Sequence, residues 1–159
     1  MQIDRSYYVY LVGQISSDIQ TFAWREEVET WLGNEKFKIL NPCVFQYAQR
    51  LLSQNSNIEE YKKKVYSNKE VPIIPHRDYN MVLLSDIGIA NMNIITPEKP
   101  MIGSFFELAW YFLHPEKTVI GIAADRQKEF HCHHPFVTEV IKVWVKDHKE
   151  AVEVIKDMF

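Results

Sequence analysis

The feature that most constrains this chain is the alternation of short apolar runs with segments of helical periodicity. Short runs of β-branched, aromatic and aliphatic residues are typical of buried strands, and apolar residues three or four positions apart are typical of helices. The apolar runs predict strands at 7–12, 37–40, 86–91, 118–123 and 140–145. The segments between and after them predict helices at 18–32, 44–57, 76–85, 104–113 and 147–158.

Strands that alternate with helices favour an α/β layered fold with a mostly parallel sheet of five strands. The length of 159 residues suits a single domain spanning 1–159. Residues 55–75 are polar and Lys-rich and contain two prolines, so we expect an excursion there rather than a core element.

Charge and cysteine content limit the possible partners and surroundings. Eighteen Lys and Arg against 21 Asp and Glu give a net charge of −3, which disfavours binding to a nucleic acid polymer. Two isolated cysteines form no disulfide framework, and the start of the chain lacks the pattern of a signal peptide. The most apolar window, 81–95, is too polar to span a bilayer. These features predict a cytoplasmic protein that does not bind membranes.

Ligands of parallel α/β sheets bind outside the carboxyl ends of the strands, so the loops after the predicted strands are the places to inspect. The first loop begins at Gly13, where the backbone can approach a ligand and a helix start offers N–H groups to an anion. The alternative, which the local sequence favours, is that Ser17 or Asp18 caps the helix. Asp86, beside a buried strand, is either a polarised functional carboxylate or a turn residue that accepts backbone N–H bonds.

The segment 103–110 holds the strongest candidate for chemistry. Ser104 and Glu107 have the spacing of a capping box, which is a purely structural interpretation and the stronger one on local evidence. Glu107 is also expected in the first turn of an apolar helix at the ligand-binding edge, where the helix dipole would keep it ionised. A rigid carboxylate in an apolar pocket is a credible nucleophile toward a sugar carbon.

The tract His131–His134 contains three His and one Cys, yet adjacent ligands on a short loop rarely converge on one ion. We therefore predict no metal site. The sequence also lacks the Gly-rich motifs that bind nucleotide cofactors and the nucleophile elbow of hydrolases, and no cofactor is predicted.

Four short blocks, in order, resemble the nucleoside 2-deoxyribosyltransferase superfamily, which includes nucleoside 5′-monophosphate N-glycosidases. The blocks are Tyr10-Leu11-Val12-Gly13-Gln14-Ile15, Leu40-Asn41-Pro42, Ser85-Asp86 with Ala90-Asn91, and Gly103-Ser104-x-x-Glu107-Leu108-Ala109. Together they cover about residues 7–123. The resemblance implies a flavodoxin-like or Rossmann-like three-layer sandwich and chemistry at the N-glycosidic bond.

The resemblance also implies roles for individual residues. Glu107 would attack C1′ of the sugar, Tyr10 would orient Glu107, and Asp86 would bind the sugar or assist the leaving base. A second base or water would then take the sugar with net retention. The residues expected to contact the substrate, around its sugar, phosphate or base, are Gly13, Gln14, Ser16, Trp24, Asn41, Gly103 and Ser104. Phe22, Phe45 and Tyr47 are further candidates to stack on the base.

Two departures from the family pattern leave alternatives open. Transferases of the family often carry an Asp shortly before the nucleophile, whereas segment 97–102 offers only Glu98. Gln14 stands where Pro is common. We expect a deoxyribosyl transferase acting on a nucleoside, with a nucleotide N-glycosidase and a non-catalytic nucleotide-binding module as alternatives. Relatives close their sites with a neighbouring subunit, so a homo-oligomer, a dimer or larger, is expected.

Overall fold

The computed structural model describes residues 5–16, 18–43 and 73–159. The strands are β1 (Tyr7–Gly13), β2 (Phe37–Leu40), β3 (Ile87–Asn91), β4 (Thr118–Ile122) and β5 (Val143–Val145). The helices are α1 (Gln20–Leu32), α2 (Ile73–Leu84), α3 (Ile102–Phe112), α4 (Pro135–Val140) and α5 (His148–Met158), with a 3₁₀ turn at Phe130–His133. The predicted helix at 44–57 and most of the predicted excursion at 55–75 lie outside the described residues.

The five strands form one sheet in the order β2-β1-β3-β4-β5, and every neighbouring pair is parallel. This is the strand order of flavodoxin-like proteins, and it confirms the predicted three-layer α/β fold. The chain moves from β1 outward to β2 and then crosses to β3 on the other side of β1. The topological switch point therefore lies between the carboxyl ends of β1 and β3, where Gly13 is in register with Asn91.

Alternation along β1 assigns its side chains to two separate cores. Val9 and Leu11 join the core beneath α1 and α5, while Tyr10 and Val12 join the core beneath α2, α3 and α4. All five residues of β3 are buried, as expected for a central strand of a parallel sheet covered on both faces. Tyr10 therefore faces the layer that contains α3.

The carboxyl-terminal end of helix α3 packs closely on the sheet. A Cβ atom added to Gly88 of β3 would lie 2.9 Å from the ring of Tyr111, so glycine permits the approach. The Tyr111 hydroxyl also lies 2.6 Å from the Ser85 hydroxyl, just before β3. These contacts fix the height of α3 above the sheet.

Several boundaries differ from the expectations. The 3₁₀ turn and α4 lie between β4 and β5, and only residues 143–145 of the predicted strand at 140–145 form a strand. Pro135 starts α4, because proline is pre-set for the first helical position. Residues 73–75, predicted to belong to the excursion, begin α2, and Pro75 lies in the first turn, where its missing N–H costs nothing.

Within the described ranges, no helix combines the length and the apolar character needed to cross a bilayer.

Candidate active site

A buried hydrogen bond between Tyr10 and Glu107 joins β1 to α3. The Tyr10 hydroxyl donates to Oε1 of Glu107, and the two residues are separated by 97 positions in the chain. Tyr10 is fully buried, and only 7% of Glu107 is exposed. Because one partner is on a central strand and the other on a packed helix, the pair is held by two rigid elements.

The capping-box interpretation of Ser104 and Glu107 is wrong. Helix α3 begins at Ile102, and its N-cap is Met101, which makes no side-chain capping bond. Ser104 and Glu107 thus lie inside the helix, three positions apart on its buried face. Glu107 is in the second turn rather than the first, and its partner is Tyr10 on another element.

Burial raises the pKa of the Glu107 carboxyl to about 8. The hydrogen bond from Tyr10 opposes this shift, Asp78 adds to it, and the charges of Arg25 and Arg77 lower the pKa. The expectation that the helix dipole keeps Glu107 ionised is therefore corrected. In the ligand-free protein at neutral pH, desolvation keeps most of this carboxyl protonated.

The Tyr10 hydroxyl is the stable proton donor of the pair. Burial raises the pKa of Tyr10 well above its usual value, and the neighbouring Glu107 raises it further. The phenol therefore keeps its proton across the range in which Glu107 titrates. When Glu107 ionises, Tyr10 can donate to the carboxylate and hold it in one orientation.

Asp78 of α2 is a site residue that the sequence did not reveal. Burial raises the pKa of Asp78, and its charge acts on both Glu107 and Tyr10. Arg77 binds the same carboxylate oxygen of Asp78 through Nε at 2.9 Å and Nη2 at 2.5 Å. In the sequence, Asp78 is one acidic residue in a helix that is otherwise mostly apolar and neutral. A single acidic residue of this kind does not indicate a functional site.

Arg25 of α1 lies under the loop that follows β1. Its side chain is fully buried, and its guanidinium donates to the carbonyls of Gly13 at 2.9 Å and Gln14 at 3.1 Å, and to that of Thr21. Its charge lowers the pKa of Glu107. Arg25 therefore supports the first loop and supplies a buried positive charge to the candidate site.

Two predicted substrate contacts, Gln14 and Ser16, are occupied by bonds within the chain. Among the residues that the structure describes, the Gln14 side chain bonds only to the loop at 95–99, and Gln14 is 4% exposed. The Ser16 hydroxyl lies 2.8 Å from that of Thr96 and accepts from the backbone N–H of Asp18. Asp18 is not the predicted cap, because α1 begins after Ile19, which makes no side-chain capping bond, although Asp18 Oδ1 accepts the N–H of Gln20 at 2.9 Å. Ser17 lies outside the described residues.

The remaining predicted contacts have varied surroundings. Trp24 is 4% exposed and packs in the core, with the Arg25 guanidinium 4.6 Å from its ring centre, so its faces are not available to a base. Asn41 Oδ1 accepts the backbone N–H of Cys43. Gly103 is exposed with open space around it, whereas Ser104 is buried one turn before Glu107. Phe45 and Tyr47 lie outside the described residues.

Asp86 does not lie beside Glu107. It precedes β3 and lies at the amino edge of the sheet, away from the carboxyl ends of the strands. Its carboxylate accepts the backbone N–H of Tyr8 at 2.9 Å and the guanidinium of Arg5. It thus stabilises the start of β1, and its predicted part in the reaction has no supporting contact.

An apolar cavity of about 660 Å³ lies between α3, the 3₁₀ turn and α4. Phe105, Phe112 and Phe136 form part of its walls. His131 and His134 also line it, and the His131 Nε2 bonds to the Met92 carbonyl at 2.7 Å. This cavity is separate from the Tyr10–Glu107 pair, which is on the buried face of α3.

The fold and the site define a flavodoxin-like α/β protein with a buried phenol–carboxyl pair beside the topological switch point. No family model matches the chain, and no curated protein matches it. Among solved structures, the chain is similar to the Clostridium botulinum CMP N-glycosidase BcmB. The identity is 16%, the TM-score is 0.45, and the match covers 96% of this chain and 99% of that one. A likeness at this level assigns no activity to the chain.

Proposed function

We propose that the protein cleaves the N-glycosidic bond of a nucleoside or nucleotide, with Glu107 as nucleophile. The observation that carries this proposal is the buried hydrogen bond between Tyr10 and Glu107. The order and spacing of the four sequence blocks around these residues support the same chemistry. A buried carboxyl with a shifted pKa, held by two rigid elements, is costly to maintain and is typical of functional sites.

In the first step the Glu107 carboxylate forms a bond to C1′ of the sugar while the bond from C1′ to the base nitrogen breaks. The base leaves with the bonding electron pair, and it needs a proton to become neutral. Tyr10 holds the carboxylate in line by donating to Oε1. The product of this step is a glycosyl ester on Glu107.

Asp78 is the candidate to assist the leaving base, while the proton that the base needs comes from solvent water. Burial raises the pKa of Asp78, but Arg77 binds its carboxylate and lowers that pKa, so Asp78 acts as a charged group rather than as the proton donor. Its charge is felt at Glu107, which places the two carboxyl groups in one electrostatic unit. Asp86 held this role in the sequence-based prediction, but it lies at the other edge of the sheet.

In the second step an acceptor attacks C1′ and releases Glu107, with net retention of configuration. If the acceptor is a second base, the protein is a deoxyribosyl transferase; if it is water, the protein is an N-glycosidase. Glu98, which might have replaced the Asp of the transferases, is exposed. An exposed side chain is poorly placed to handle the departing base, as the Asp of the transferases would do. The exposed position of Glu98 therefore favours the N-glycosidase as the second candidate function.

The proposal is tested by chromatographic analysis of products. A panel of deoxynucleosides and their 5′-monophosphates is incubated with the protein, with and without an acceptor base. We expect free base in every productive reaction, and a new nucleoside only if the protein is a transferase. Tight binding with no free base under any condition would contradict the proposal and favour a nucleotide-binding module.

Glu107→Gln is the key variant, because an amide can still accept from Tyr10 but cannot act as a carboxylate nucleophile. We expect turnover to fall at least ~10²-fold. Glu153→Gln is the matched control, since Glu153 is exposed on α5 and should leave turnover unchanged. Equal turnover in wild type and Glu107→Gln would rule out the nucleophile.

A further inference from the structure

The Gln14 side chain joins the loop after β1 to the loop after β3. Oε1 accepts the backbone N–H groups of Ile95 at 2.8 Å and Thr96 at 3.0 Å. Nε2 donates to the carbonyls of Thr96 at 3.2 Å and Lys99 at 2.6 Å. These four bonds use both acceptor positions and both N–H groups of the amide.

Because its hydrogen-bonding capacity is filled, Gln14 has nothing left to offer a ligand. The residue is also 4% exposed, so a substrate would have to displace a loop to reach it. Displacing the amide would also leave these buried polar groups unpaired, which is energetically costly. Substrate recognition is therefore a poor explanation for this side chain.

Neighbouring contacts extend the same connection. The Ser16 hydroxyl lies 2.8 Å from the Thr96 hydroxyl, and the Lys99 ammonium donates to the Ile15 carbonyl. Beneath the first loop, Arg25 donates to the carbonyl of Gln14 itself. Arg25 thus fixes the loop after β1 to helix α1, and Gln14 fixes the same loop to the loop after β3.

The loop after β3 leads directly into α3. It ends at Met101, the N-cap of the helix that carries Glu107. A displacement of residues 95–99 would therefore be passed to the start of α3 and along the helix to Glu107. A misplacement of about 1 Å in a catalytic group can cost about 10²-fold in rate.

We infer that Gln14 is a positioning residue that couples the loop after β1 to the loop before α3 and so sets the position of Glu107. This inference rests on the proposed function for its kinetic consequence, but the coupling itself is a property of the fold. Gln14→Met has nearly the same length and makes none of the four bonds. Gln127→Met is the control, since Gln127 is exposed on another loop.

Two measurements need no substrate. Amide hydrogen exchange should show that protection of Ile95 and Thr96 falls at least about tenfold in Gln14→Met and not in Gln127→Met. Carbon-13 NMR of the Glu107 carboxyl should show its titration moving to lower pH, because a loosened α3 admits water. Unchanged amide protection, or lost protection with an unchanged Glu107 titration, would overturn the inference.

Kinetics supply the third readout. A positioning role predicts that kcat falls about tenfold or more while KM changes less than about twofold. A rise in KM alone would instead mean that Gln14 binds substrate, and would overturn the inference. If wild type turns over no substrate, the proposed function fails, while the exchange and NMR measurements still decide the coupling.

Should Gln14→Met fail to fold, Gln14→Glu tests the same connection with a smaller perturbation. A carboxylate keeps an acceptor for the N–H groups of Ile95 and Thr96 but cannot donate to the carbonyls of Thr96 and Lys99. We expect a smaller loss of protection at Ile95 and Thr96, with a fall in kcat in the same direction. Full protection and full kcat in Gln14→Glu would overturn the inference in that case.

Discussion

The burial of Glu107 and its proposed role as a nucleophile favour opposite protonation states of the carboxyl. Burial favours the protonated carboxyl and raises its pKa to about 8, while a nucleophile must be ionised to attack. Tyr10 and the charges of Arg25 and Arg77 favour the ionised form without overcoming the desolvation. The raised pKa therefore puts the ionisation of Glu107 in the range from neutral to mildly alkaline pH.

This balance predicts the pH dependence of activity. The value of kcat/KM reports the free enzyme, so it should rise about tenfold for each pH unit below about 8 and level off above. The measurement is initial rate at low substrate concentration between pH 5.5 and 9.5. A profile that is already level at pH 6 would contradict a raised pKa for the essential carboxyl.

The same carboxyl predicts a pH-dependent stability. Its pKa is about 8 in the folded protein and near 4.5 when unfolded, so between these values the folded state holds the extra proton. The stabilisation is complete below pH 4.5 and is lost as pH rises toward 8, by at most about 1.4 kcal/mol per pH unit. Urea unfolding at pH 6 and pH 9 should show Glu107→Gln gaining stability relative to wild type at the higher pH. Parallel profiles for the two proteins would contradict this.

Elements β1 and α3 form the framework of the site, and their positions were largely predictable. Their apolar runs are local signals, and the spacing of the four blocks brought Tyr10 and Glu107 to attention together. The partners of these residues were not predictable, because they depend on contacts across the fold. The bond between Gln14 and Thr96 spans 82 positions, and Asp78 becomes a site residue only through the packing of α2. The raised pKa of Glu107 likewise depends on burial, which helical spacing alone does not give.

The close approach of α3 to β3 gives a prediction for stability. Gly88→Ala would place Cβ 2.9 Å from the Tyr111 ring, so the helix must move or the core must strain, at a cost of about 1–3 kcal/mol. Gly103→Ala is the matched control on the exposed start of α3, where an added Cβ meets nothing within 4 Å. We expect it to be neutral or stabilising by up to about 1 kcal/mol. Thermal unfolding of both variants checks this, and equal melting temperatures would count against tight packing at Gly88.

At the scale of the whole molecule, one surface is unusually apolar. Helix α3 and the segment from the 3₁₀ turn to α4 expose Phe105, Phe112, Phe130 and Phe136 around the apolar cavity. Both the cavity and the protruding rings are on the same surface of one chain, an arrangement suited to a two-fold contact between copies.

We expect the homo-oligomer to form through this apolar surface. Light scattering should give a mass at least twice the 18.8 kDa of one chain. Phe136→Glu should shift the protein toward the single-chain mass, because burying a charge in an apolar contact is costly. Lys149→Glu, at an exposed site on α5, is the control and should leave the mass unchanged. A wild-type mass of one chain would contradict the expected oligomer.

The central claim is that Glu107 forms a covalent bond to the sugar, and mass spectrometry of a trapped intermediate tests it most directly. Nucleosides and 5′-monophosphates with fluorine at the 2′ position slow both steps, because fluorine destabilises the cationic transition state. With no acceptor base present, we predict a mass increase of one fluorinated sugar on the peptide containing Glu107, and none in Glu107→Gln. Release of base with no sugar on Glu107, or with the sugar on another residue, would contradict the account.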